Sequence, residues 1–143
     1  PSGNATITIE ADETEPGNYV YRVTGTNSKA WSYINHDYPF ENGKTYKVSF
    51  RARAIGDSDG NEVDIRLKPN MQYPDDSATE GKHHELGTTV LPSDGSWVYY
   101  EKEFTVTGMM KETNRKFSCY ADPPSDTTSA SFEMDDIVLE CIA

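Results

Sequence analysis

Trp31 and Tyr33 stand two apart in Ala30-Trp31-Ser32-Tyr33-Ile34-Asn35. On an extended strand, residues two apart leave the same face, so this spacing sets two aromatic rings side by side. Ile34, on the opposite parity, is the better core candidate, which favours exposure of Trp31; burial of both rings is the competing reading. Exposed rings suit the flat C–H face of a pyranose, whose hydroxyl fringe then needs amide, carboxylate or guanidinium partners nearby. Arg51 and Arg53 can supply guanidinium groups. They belong to Tyr46-Lys47-Val48-Ser49-Phe50-Arg51-Ala52-Arg53-Ala54, in which the even positions are apolar and the odd positions point away from the core. Either they contact hydroxyls, or they form a solvated face held by Glu62 or Asp64 of a neighbouring strand.

Asp135 and Asp136 raise the question of a metal. Neighbours on a regular strand point to opposite faces, so the pair forms a clamp only if a bulge intervenes; otherwise one acid meets the core and needs a partner. Catalysis finds no foothold. The 24 acidic residues could in principle include a glycosidase-type acid and base, yet no pair is singled out. There is no His-Glu-x-x-His, no Gly-x-Ser-x-Gly, no phosphate-cradling glycine loop and no Cys and His nucleophile arrangement. No residue is assigned a catalytic role, and a small glycosidase is the weakest of the functional readings.

The elements that must position these residues are short strands. Apolar alternation recurs over 5–10, 19–24, 31–35, 45–54, 62–68, 88–91, 98–106, 115–121 and 132–140, separated by clusters of Gly, Pro, Asn and Asp. No helical period persists for three turns, so the pattern is all-β: a two-sheet antiparallel β-sandwich of jelly-roll topology. Shared parity places Tyr46, Val48, Phe50, Val63, Ile65, Leu67, Phe104 and Phe132 in its core. The stretch 69–87 reads as the longest irregular segment, a functional or mobile loop.

At 143 residues the sequence suits one domain, 1–143, large enough to bury a single core. Nine Tyr, five Phe and two Trp set it apart from a disordered acidic tail. A net charge of -11 repels phosphate backbones and anionic bilayers, which argues against nucleic-acid and membrane partners, whereas a neutral ligand meets no such penalty. No apolar run approaches the roughly 20 residues of a membrane span. No signal-like region opens the sequence at Pro1, so it reads as an excised module. Cys119 and Cys141 lie in no metal or redox spacing; two thiols and one disulfide are both open, with the thiols ahead.

Three segments taken in order carry a family resemblance: Glu41-Asn42-Gly43-Lys44-Thr45-Tyr46-Lys47-Val48-Ser49-Phe50, then Ser96-Trp97 leading into Phe104-Thr105-Val106, then Ser131-Phe132-Glu133-Met134-Asp135-Asp136-Ile137-Val138-Leu139. Together they resemble the carbohydrate-binding modules of families four, nine, sixteen and twenty-two, over most of the chain. The resemblance implies a non-catalytic, monomeric module that binds plant cell-wall β-glycan, as β-glucan, xylan or related hemicellulose. It also implies an extracellular setting, with catalytic or scaffold modules appended to the same polypeptide. Cys119-Tyr120-Ala121-Asp122-Pro123 is similar to the Leu-Tyr-Val-Glu segment of family twenty-two, which implies Tyr120 as a ring wall and Asp122 as a hydroxyl acceptor. His84 or His83 falls near a groove Tyr of those relatives, a solvated loop histidine being the alternative. Relatives often carry an Arg after the second strand where this sequence has Thr26, and Arg51 or Arg53 is the available substitute. The resemblance further implies a structural Ca²⁺ held by Asp136 and the carbonyl of Gly17. An adhesive or structural sandwich without a sugar site is the alternative function.

Overall fold

The computed structural model describes residues 5–25, 32–55, 64–74, 81–107, 115–122 and 131–143. Ten strands run through them: β1 (Ala5–Ala11), β2 (Tyr19–Gly25), β3 (Ser32–Asp37), β4 (Thr45–Ala54), β5 (Ile65–Pro74), β6 (Gly81–Glu85), β7 (Thr89–Leu91), β8 (Val98–Thr105), β9 (Lys116–Asp122) and β10 (Phe132–Cys141). Among the described residues there is no helix, and every strand pair is antiparallel. One sheet has the order β1-β2-β10-β4-β8 and the other β3-β9-β5-β6, with β7 also paired to β5. The chain changes sheet from β3 to β4 to β5, and again from β8 to β9 to β10, which is the winding of a jelly roll.

Alternation builds the core as the sequence predicts. Tyr46, Val48, Phe50, Ile65, Leu67 and Phe132 are buried, and Phe104 packs at the core's margin. Val63 lies outside the described residues. Both cysteines are free thiols; burial of Cys119 pushes its pKa well up, which keeps it protonated and inert.

Two expectations are corrected. First, β4 and β5 are not neighbours but lie in opposite sheets, so Arg51 and Arg53 have no acid of β5 beside them. Asp64 instead accepts the Ser93 backbone N–H at 3.0 Å. Second, 69–87 is not one irregular loop: β5 continues to Pro74 and pairs with β6 from Asn70↔Glu85 to Pro74↔Gly81. Pro69 hides this because proline removes a ladder donor. In a strand, one residue's N–H and C=O point to the same edge, and the Pro69 carbonyl accepts the Leu86 N–H at 2.9 Å. The missing donor therefore falls where β7, paired to Ile65–Leu67, gives way to β6, paired from Asn70 onward.

The outer face of the first sheet is ionic. Glu133 lies in register with Arg22 on one side and Arg53 on the other. Its side chain is 0% exposed and accepts bonds from Arg22 Nη2 at 2.9 Å and Arg53 Nε at 2.8 Å. A buried carboxylate is tolerated because both oxygens meet a guanidinium, and stripping the pair leaves uncompensated charge. Glu133→Ala should lower the unfolding free energy in urea by about 3–5 kcal/mol. A loss under about 1 kcal/mol would mean that the row behaves as a solvent-screened surface pair.

Candidate functional site

The sequence-predicted residues divide between the two outer faces, which point away from each other because both sheets back onto one core. Tyr120, Asp122 and Tyr33 belong to the second sheet, where Tyr33 is the register partner of Tyr120 and Asp122 that of Arg66. Trp31 lies outside the described residues, as do the side chains of Tyr33 and Asp122. Arg51 and Arg53 are on the first sheet, committed to its own acids, so they do not share a face with Tyr120. His84 is also displaced. Its register partner is Met71, a core residue, so His84 has core-side parity at an exposed sheet edge. His83, by the same register, pairs with Gln72.

What the second sheet assembles around Tyr120 is a ring set among polar groups. Phe117, Cys119 and Ala121 of β9 are buried in the core, which turns Ser118 and Tyr120 outward. The Tyr120 hydroxyl donates to Glu85 Oε1 at 3.2 Å, joining β9 to β6 across β5. Lys68 Nζ lies 5.7 Å from the centre of the Tyr120 ring, within cation–π range. In the adjoining row Ser118, Asn70 and Glu85 are in register, and Ser118 Oγ donates to Asn70 Oδ1 at 2.6 Å. Asn70 is 1% exposed, and among the described residues its Nδ2 finds no acceptor, so this amide braces the row from below rather than facing solvent.

Glu85 and Asn70 escape the sequence reading because 69–87 is read as loop, whereas Lys68 and Ser118 lie in segments read as strands and are passed over as site residues. Period two across Arg66, Lys68, Asn70 and Gln72 is the signal that could have found them. A cleft of about 560 Å³ opens elsewhere, between the β1–β2 margin and β3, lined by Ile7, Tyr21, Tyr38, Phe117, Ile137 and Leu139 among others. Its mainly apolar lining, with Asn35, His36, Asp135 and Asp136 as polar groups, makes it a second candidate beside the Tyr120 face.

Arg51 organises the other face. Opposite it, the β10 register slips by one residue between Asp135 and Val138, and Asp136 takes φ 52°, a left-handed conformation that Asp tolerates better than most residues. This is the bulge that lets adjacent acids converge. Arg51 Nη2 donates to Asp12 Oδ2 at 2.7 Å and to Asp135 Oδ2 at 2.8 Å. Its Nε lies 3.2 Å from Asp136 Oδ2, close enough for an ion pair but not aligned as a hydrogen bond. The β1–β2 loop closes over the cluster. There Gly17, at φ 85°, supplies the left-handed turn before Asn18, whose Nδ2 donates to both Asp12 and Asp135. Trp97 covers Arg51 with its ring centre 4.2 Å from the guanidinium carbon, and its Nε1 donates to Thr14 Oγ1 at 3.0 Å.

This donor set does not fit the Ca²⁺ implied at Asp136 and Gly17. Calcium takes six to eight oxygens. Here both oxygens of Asp12 already accept bonds, Oδ1 from Thr14 and Oδ2 from Arg51 and Asn18, while Asp135 Oδ2 accepts from Arg51 and Asn18. A guanidinium stands among the acids that a cation would have to join.

Hydrogen bonds from Thr14, with help from Asn18 and Arg51, outweigh burial and hold the Asp12 carboxyl well below the usual carboxylate range. For Asp135 burial pulls upward, but Arg51 and Asn18 win and its pKa is lowered. Carboxylates with depressed folded pKa values contribute stability that is fully present above the unfolded value, near pH 3.9, and is lost as pH falls through the folded value. The melting temperature of the parent should therefore fall steeply on acidification below about pH 4. Asp12→Asn should flatten that acid limb; an unchanged slope in circular dichroism melts would remove Asp12 from the linkage.

The fold meets its counterpart in known proteins. The chain belongs to the carbohydrate binding domain family that joins families 4 and 9, whose profile matches residues 1–126. Among solved structures it is similar to the CBM22-1 and GH10 modules of Clostridium thermocellum endo-1,4-β-D-xylanase 10B complexed with xylohexaose. That match has a TM-score of 0.71 and 16% identity, over 98% of this chain and 25% of that one. The C-terminal family 22 module of the same enzyme gives a TM-score of 0.73 at 15% identity, over 97% of this chain and 83% of that one. The CBM22-1 xylan-binding domain of Paenibacillus barcinonensis Xyn10C gives 0.70 at 11% identity, over 97% and 82%. At such identities the likeness shows the sandwich fold, and the chain spans a quarter of the first of these proteins. No curated protein sequence matches it.

Proposed function

We propose that the outer face of the β3-β9-β5-β6 sheet binds a β-glycan chain of the xylan or β-glucan class, and that the domain is a non-catalytic module targeting an appended enzyme or scaffold to extracellular polysaccharide. The observation that carries this reading is the Tyr120 ring held across the sheet by Glu85, in a chain of carbohydrate-binding family. Xylan binding is named for two of the similar modules, at 11% and 16% identity, which supports the ligand class and leaves the choice among β-glycans to experiment.

Each contact has a stated role. Tyr120 offers a ring for C–H stacking, Glu85 fixes that ring and accepts hydroxyl protons, and Lys68 donates. Trp31 and Asp122 join on the sequence argument alone, Trp31 as a second ring and Asp122 as an acceptor. The Glu85 carboxylate is engaged by the Tyr120 phenol, which suits holding. Weak binding is enough, because tethering raises the local concentration of whatever is attached.

Affinity electrophoresis against xylan, mixed-linkage glucan, glucomannan and xyloglucan tests the reading. The parent should be retarded by at least one of these polymers. Tyr120→Ala should weaken that binding by about 30-fold or more, equivalent to roughly 2 kcal/mol for a central aromatic contact, without loss of fold. Retardation that survives Tyr120→Ala moves the site elsewhere, and a parent that ignores every polymer favours the adhesive sandwich.

A further inference from the structure

We propose that the Arg51 guanidinium is a built-in counter-cation that takes the structural place of a metal ion at the β10 bulge, so that this domain holds its β1–β2 loop without Ca²⁺. Four carboxylates converge on one group: Asp12 at 2.7 Å, Asp135 at 2.8 Å, Asp136 at 3.2 Å and Glu15 at 3.4 Å. They come from β10 and the loop after β1, two segments far apart in sequence that need a shared positive charge to lie together. A divalent ion is the common solution for such a cluster, since it draws oxygens from several segments at once. A guanidinium is an alternative because its planar fork donates in several directions and never loses its proton at working pH.

The surroundings are built for the organic cation. Asp12, whose side chain is 0% exposed, has each oxygen occupied by an N–H or O–H donor, which leaves a metal nothing to replace without breaking bonds. Trp97 lies over the guanidinium at 4.2 Å, a contact that rewards a flat cation and that a hydrated ion in its place would not make in the same way. Arg51 is anchored from below as well: β4 presents it in register with Asp135, next to the pair of Arg53 and Glu133. The two acids left most exposed, Glu15 and Asp136, remain solvated and add weaker, water-screened attraction at the rim.

The test is a set of melts on the whole domain in excess EGTA and in millimolar CaCl₂, with calorimetric titration of Ca²⁺ into the parent. The parent should melt at the same temperature in both buffers and show no Ca²⁺ binding heat. Arg51→Ala, which leaves the acids without their cation, should melt roughly 5–15 °C lower in EGTA and recover part of that loss in CaCl₂. If Arg51→Ala does not fold in EGTA, folding on addition of CaCl₂ supports the proposal and failure to fold in both buffers overturns it. Arg51→Lys keeps a charge without the fork and should stay indifferent to Ca²⁺ at an intermediate melting temperature. A parent that loses stability in EGTA or binds Ca²⁺, or an Arg51→Ala domain that CaCl₂ does not move, overturns the proposal.

Discussion

Glu133 is fully withdrawn from water in a chain of net charge -11, and two guanidinium groups from the strands on either side hold it there. The pairing fixes β2, β10 and β4 in one register, because a slip of one residue would strand a buried charge as well as turn every side chain to the wrong face. The rest of the first sheet's outer surface follows from that register. Two residues along β10, Asp135 meets Arg51, and the bulge beyond it keeps Ile137 and Leu139 packed against the core while Asp136 turns out to the same guanidinium. Trp97 then roofs both arginines and ties down Thr14 of the β1–β2 loop.

The second sheet is organised on another principle. Its outer rows are held by hydrogen bonds among neutral or singly charged groups, Tyr120 to Glu85 and Ser118 to Asn70. An ion-paired face has its charges spent internally. The second sheet instead presents the Tyr120 ring and the Glu85 carboxylate, groups of the kind that suit a neutral, hydroxyl-rich polymer. On the proposed reading the two sides of the sandwich divide the work, stability on one and recognition on the other, and a shared core keeps them apart.

The sequence by itself determined the sandwich, its core parity and its family, since period-two alternation in Tyr46-Lys47-Val48-Ser49-Phe50 and in Ile65-Arg66-Leu67 reports local geometry that burial enforces. It also turned Tyr120 outward, through the buried Cys119 and Ala121 on either side of it. Only the tertiary structure decided which outer face each residue joined. Arg51 and Tyr120 are both outward by parity, yet they belong to sheets that point apart, and alternation along a strand carries no information about which sheet that strand enters. It decided Glu85 over His84 for the same kind of reason: Pro69 and the absence of clear alternation in 81–85 concealed β6, and pairing with β5 set the parity. The fate of Asp136 likewise turned on a bulge and on a guanidinium 85 positions earlier in the chain, a contact that no local pattern specifies.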